Sequence, residues 1–343
     1  MGVSAFVASI PLGIAADKYG RKRLYIVGNV MASAIIAVFA LTTNIGVLLA
    51  AAVAEGIAEA AFAASANALL AEKANETRRT DAYSLFGFVQ AIAFGVGSLM
   101  IPLTMVFEGF GYSNMEGHVL LYVVLALLSL SSTFFMFRIS EPRRVKRHGV
   151  SWLRMLPHKS KDPLVKYVLT SGLIAFGAGM VVPLMAAWLG LRYGISDATS
   201  GPILGLSSLA TGVATLAGPS IAKRIGLVKA ITVTQGFSTV FMCVIPISSG
   251  YFSAGFAYAF RSFLLNMSTP LEQSMIMGIV VEDERGAASG INSAVWSLPN
   301  ALSSFVGAYL MAMGLLAAPF FLSGLLYVIS VTLFWYFFRK TVI

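Results

Sequence analysis

Eleven apolar runs of about 20 residues follow one another along the chain, each close to the length a helix needs to cross the ~30 Å hydrocarbon core of a bilayer. They fall near 1–16, 24–43, 46–70, 82–107, 118–138, 166–189, 200–222, 228–248, 251–280, 287–311 and 314–338. A helix satisfies its own backbone N–H and C=O groups, which open strands in lipid cannot do. The runs therefore predict an all-α membrane protein. With 57% hydrophobic and 11% charged residues, the chain has too little charge to clothe a soluble globule, which carries roughly 25%. Eight runs contain or adjoin a proline: Pro11, Pro102, Pro183, Pro219, Pro246, Pro270, Pro299 and Pro319. Membrane helices tolerate proline because neighbouring groups satisfy the freed carbonyls.

A net charge of +9 suggests a nucleic-acid partner until the charges are placed. Of the 24 Lys and Arg residues, 22 fall in or beside one alternate set of loops, the exceptions being Arg192 and Arg261. Such asymmetry marks the cytoplasmic side. It predicts a multi-pass protein of the cell (plasma) membrane with its C-terminus in the cytoplasm and Met1 outside. The stretch from Arg143 to Arg147, with Trp152 and Leu153, reads as a basic amphipathic linker on the anionic inner leaflet. Membrane lipid is thus an expected partner and nucleic acid is not. The first run lacks a basic n-region, so it does not read as a signal peptide.

Cys243 stands alone, and His118, His148 and His158 show no zinc spacing. No metal site, cofactor, nucleotide-binding signature or catalytic constellation is expected, which argues against an enzyme and against ATP-driven transport.

Shifting the chain by 206 residues places Ala16 on Ala222, Lys18 on Arg224, Gly20 on Gly226, Arg23 on Lys229, Arg79 on Arg285 and Ala82 on Ala288. Two similar helical bundles are implied, a known plan for carriers that bind solute between parallel repeats. The expected domains are 1–138, a basic linker over 139–165, and 166–343.

The stretch Gly13-Ile-Ala-Ala-Asp17-Lys18-Tyr-Gly20-Arg21-Lys22-Arg23 resembles the signature loop of the major facilitator superfamily. Glu284-Arg285-Gly286-Ala287-Ala288-Ser289-Gly290 resembles that family's loop before its eleventh helix. The resemblance covers essentially the whole chain and implies two pseudo-symmetric helical bundles. It also implies that Asp17 latches the cytoplasmic gate by meeting the start of the family's eleventh helix, where a carboxylate is stabilised by ~0.3–1 kcal/mol. Gly13, Lys18, Gly20, Arg21, Lys22, Arg23, Arg79 and Arg285 belong to the same gating motif. The alternative is that the basic cluster merely fixes topology. The signature should follow the family's second helix, yet it follows the first run here. The chain therefore reads as family helices two to twelve. The expectation is that about 30–60 further residues with one apolar run precede Met1.

Ionisable residues inside apolar runs are costly and usually face a cavity or partner. Glu55 and Glu59 lie four residues apart on one helical face. The repeat carries Glu55 onto Arg261, making an acid and a base candidates to face each other near the midplane. Glu272 follows Arg261 by eleven residues, about three turns, and so shares its face. Asn266, Gln90, Asn292 and Trp296 are further candidates for substrate or proton coupling. A static ion pair and interhelical hydrogen bonds are the structural alternatives. Gly87, Ala91 and Gly95, and Ala52, Gly56, Ala60, Ala64 and Ala68, form small-residue stripes suited to close helix packing.

The function expected is secondary transport of a small-molecule substrate by a monomer using alternating access, with proton-coupled efflux of a drug or metabolite as the first reading. An uptake symporter or facilitator is the alternative. A non-transporting receptor or truncated remnant is the alternative of another class.

Overall fold

The computed structural model describes residues 2–73, 79–138, 160–281 and 285–340. The basic linker from Arg143 to Leu153, together with Glu284, lies outside the described residues.

The described residues form thirteen α-helices and no strands. In chain order these are α1 (Gly2–Tyr19), α2 (Arg21–Leu41), α3 (Ile45–Lys73), α4 (Arg79–Leu99), α5 (Leu103–Gly109), α6 (Asn114–Phe137) and α7 (Lys161–Val181). They continue with α8 (Met185–Tyr193), α9 (Asp197–Ile225), α10 (Leu227–Val244), α11 (Tyr251–Ile279), α12 (Arg285–Ala312) and α13 (Ala318–Phe338). Among the described residues, eight segments are long and apolar enough to cross a membrane by length and composition. Large apolar side chains lie exposed on these helices, including Phe94, Leu127, Phe256 and Leu325. Lipid is the solvent that accommodates such a surface.

Two expected runs are broken where proline interrupts the ladder. The run at 82–107 divides into α4 and α5, with Pro102 as the N-cap of α5. The run at 166–189 divides at a tight 3-10 turn, Val182–Leu184, which contains Pro183. Proline has no N–H to donate to the preceding turn. Pro11, Pro219, Pro270 and Pro299 instead stay inside continuous helices.

The helix boundaries repeat at the 206-residue shift. Tyr19 ends α1 and Ile225 ends α9; Arg21 begins α2 and Leu227 begins α10. α3 and α11 both run for 29 residues, and α4 and α12 begin at Arg79 and Arg285.

Two compact units emerge from the packing. The first contains Met1–Tyr83 and Pro102–Arg147. Here α3 packs on α1 and α2, and α2 packs on α6. Gly28 of α2 sits where a Cβ would lie 3.0 Å from the carbonyl oxygen of Ala58, so the small residues of α3 set the spacing. Asn29 then clamps α2 to α6, its Nδ2 donating to Ser129 O at 2.9 Å and Thr133 Oγ1 at 2.8 Å.

The second unit contains Ser84–Ile101 and His148–Ile343. α4 meets α9 through small residues. A Cβ on Gly205 would lie 2.8 Å from Gly95 O, and one on Gly201 2.8 Å from Ser98 O. Gly212 approaches Ala91 in the same way. The most extensive packing runs between α7 and both α12 and α13, between α9 and α11, and between α10 and both α11 and α13. Trp188 of α8 is fully enclosed, and its Nε1 donates to Leu316 O at 2.8 Å.

Candidate substrate and coupling site

The first half of α11 places a guanidinium inside the second unit. Arg261 is 2% exposed. Its Nη2 donates to the hydroxyl of Tyr327 on α13, and its guanidinium lies 5.6 Å from the centroid of that ring. Ser238 of α10 donates to the Arg261 carbonyl at 3.2 Å. Tyr258, one turn earlier on α11, is buried as well. The Arg261 Nε is buried with no hydrogen-bond partner. A buried donor left unmade costs about 1–3 kcal/mol, more for a charged group. A cation held this way is suited to receiving an acceptor or anion.

Eleven residues along the same helix, roughly 16 Å by helical rise, stands Glu272. It is 6% exposed. Gln235 of α10 donates its Nε2 to Glu272 Oε1. Ser171 of α7 and Ser268 of α11 donate to the carboxylate at 3.4 Å each. Gln235 Nε2 also reaches Ser268 Oγ at 3.1 Å. Tyr167, one turn before Ser171, lies within electrostatic range of Glu272 and donates to Asn292 Oδ1 on α12. Three helices, α7, α10 and α11 itself, thus meet at one carboxyl group through neutral donors. Among the described residues, no basic group reaches Glu272.

The other candidates are more dispersed. Glu55 is half-buried in the first unit, where its Oε2 is enclosed without a hydrogen-bond partner. Glu59 and Gln90 are exposed. Asn266 donates Nδ2 to Ser262 O at 2.8 Å, within its own helix. Trp296 packs against the apolar core built around Trp188, Met180 and Phe320.

Of the signature loop, Gly20 adopts φ 111 and ψ 130 at the N-cap of α2. Lys22 donates Nζ to Phe137 O at 2.9 Å, capping the last turn of α6 where a cation meets the negative end of the helix dipole. Arg23 is exposed and Arg21 is half-buried. The side chains of Asp17, Lys18, Arg79 and Arg285, and the surroundings of Gly13, lie outside the described residues.

Sequence reasoning singled out the charged members and missed their neutral neighbours Tyr327, Gln235, Ser171 and Tyr167, as well as the Asn29 clamp between α2 and α6. A polar residue at i, i+3 or i+4 spacing on the buried face was the available signal. Tyr167 and Ser171 show it, as do Ser268 and Glu272.

A helical membrane fold whose helix boundaries repeat at a fixed 206-residue interval, with charged and polar groups buried in it, follows the plan of parallel-repeat solute carriers. The sequence profile of the Major Facilitator Superfamily matches residues 1–270 and, a second time, residues 167–342. The chain belongs to that family; it is a multi-pass membrane transporter and not an enzyme. Its fold is similar to that of the human organic anion transporter MFSD10, at a TM-score of 0.70 and 17% identity, over 97% of this chain and 81% of that one. It is also similar to a bacterial homologue of the human lysosomal transporter Spinster in an inward-facing, occupied conformation. There the TM-score is 0.71 and the identity 14%, over 98% of this chain and 87% of the other. No curated protein matches the sequence.

Proposed function

We propose that this transporter moves a small solute by alternating access, coupled to protons through the carboxyl group of Glu272. The observation that carries the reading is the setting of Glu272: buried, held by neutral donors from α7, α10 and α11, and without a cation among the described residues. A lone buried carboxylate is costly to keep ionised, so gain and loss of one proton changes the energy of this unit. Efflux by proton antiport is the first form of the cycle. The signature loop, with Asp17 as its acid, serves as the gate.

Arg261 favours a second form. A buried guanidinium with an unmade Nε donor suits an anionic solute, the substrate class named for the human organic anion transporter. A monovalent anion moving together with a proton carries no net charge, so proton symport fits such a solute.

The test uses the full chain in proteoliposomes with an internal pH-sensitive dye and a panel of fluorescent organic anions and cations. An imposed pH gradient drives solute movement, and solute drives proton movement. The direction of the two fluxes separates antiport from symport. Solute flux indifferent to the pH gradient, unchanged in Glu272→Gln, defeats the proton-coupled reading.

A further inference from the structure

A groove of about 550 Å³ runs between α10 and α13 on the exposed face of the second unit. Gly236, Cys243 and Ile247 line it from α10, and Phe321, Val328 and Thr332 line it from α13. Ile247, Val328 and Phe321 are 69%, 53% and 47% exposed, so the groove opens outward rather than into the unit. From Gly236 to Ile247 it follows α10 and its terminal turn for eleven residues, roughly 16 Å, about half of a ~30 Å hydrocarbon core.

One end of the groove is basic. Ala230 and Ile231 share an apolar cluster with Phe334 and Phe338, so the start of α10 lies beside the end of α13. Lys229 precedes Gly236 by seven residues, and Arg339 follows Thr332 by seven. Seven residues make close to two helical turns, so each cation lies on the groove face of its helix, about 10 Å beyond the groove's end. Both are exposed, as is Lys340. Arg339 rests 5.7 Å from the ring centroid of exposed Tyr336, an aromatic at the depth typical of a membrane interface. Neither α10 nor α13 contains an acidic residue to neutralise these charges.

We propose that this face binds one anionic phospholipid, with an acyl chain in the α10–α13 groove and the phosphate on Lys229 and Arg339. An apolar slot ending in exposed cations complements a lipid tail and an anionic headgroup, and basic sites between membrane helices bind such headgroups. A zwitterionic lipid fills the same slot and gains less from the cations.

Native mass spectrometry of the full chain in detergent tests this, with dioleoyl phosphatidylglycerol and dioleoyl phosphatidylcholine, whose tails are the same. One phosphatidylglycerol is retained in preference to phosphatidylcholine. The double variant Lys229→Gln/Arg339→Gln reduces that retention roughly tenfold, to the phosphatidylcholine level. Gly236→Leu reduces retention of both lipids, because a Cβ at Gly236 points into open space and the larger side chain occupies the slot without a clash. Its thermal unfolding in lipid-free detergent stays that of the native chain. Equal retention of the two lipids by the native chain overturns the proposal, as does undiminished phosphatidylglycerol binding in the double variant. Displacement of the bound lipid by glycerol 3-phosphate, which has no tail, overturns the role of the groove.

Discussion

Gly20 and Gly226 stand 206 residues apart and hold the same backbone conformation, φ 111, ψ 130 and φ 88, ψ 152, each at the N-cap of the helix that follows. The conformation pairs a positive φ with an extended ψ, a region close to glycine-only, where a side chain is strained by about 1–3 kcal/mol. Gly20→Ala and Gly226→Ala are therefore each expected to lose about that much stability. A Cβ on Gly226 meets no atom within 4 Å, so its loss reports backbone strain alone. Gly236→Ala, in an ordinary helical conformation with equally open space, is the control and loses none. Thermal unfolding in detergent measures all three.

That glycine pair also shows what the sequence carries. The repeat is legible in a handful of identities because each unit must reproduce the same turn between helices, and only certain residues make it. Charged residues within apolar runs are legible because lipid penalises them. The partner of Arg261 is not legible: Tyr327 lies 66 residues away, and tyrosine occurs throughout membrane helices. The packing of α4 on α9 is hidden for a related reason. The stripe Gly87, Ala91 and Gly95 declares a close-packing face but not which helix fills it, and Gly87 itself has nothing within 4 Å of its would-be Cβ. Proline is ambiguous too, breaking the helix at Pro183 and remaining inside it at Pro270.

Tyr327→Phe keeps the ring beside Arg261 and deletes the hydroxyl that accepts from Nη2. A second donor of a buried guanidinium is then left unmade. The expected loss is about 1–3 kcal/mol in thermal unfolding, with weakened transport. Tyr327→Leu removes the cation–π contact as well and is expected to lose more.

Asn29 holds α2 to α6 through acceptors on Ser129, Ser132 and Thr133. Asn29→Ala is expected to lower stability by about 1–2 kcal/mol, since interhelical hydrogen bonds in membranes are individually modest. Asn29→Leu, of similar length but bulkier and unable to donate, is expected to be worse. Resistance to unfolding by a denaturing detergent ranks the two.

Glu272→Gln preserves shape and the capacity to accept from Gln235 while removing the proton site. Replacing a lone buried acid by a neutral amide leaves no uncompensated charge, so stability is expected to hold or rise slightly. Solute binding persists, and proton movement coupled to solute stops. Solute-induced thermal stabilisation reads binding, because a ligand bound only by the folded state raises apparent stability. The pH dye reads coupling.

Glu55 comes ten residues after the start of α3, and Arg261 comes ten residues after the start of α11, two helices of 29 residues each. They are therefore repeat equivalents of opposite charge, one in each unit. Each keeps a buried polar atom, Glu55 Oε2 and Arg261 Nε, without a hydrogen-bond partner. If the transport cycle uses these two charges together, losing one leaves the other uncompensated and losing both does not. Glu55→Gln and Arg261→Gln are each expected to reduce transport at least tenfold, about 1.4 kcal/mol or more. The double variant is expected to fall short of the product of the two losses. Initial rates of solute flux in proteoliposomes, taken as a double-mutant cycle at matched protein density, give the coupling. Losses that multiply, to within ~0.5 kcal/mol, would show that Glu55 and Arg261 act independently.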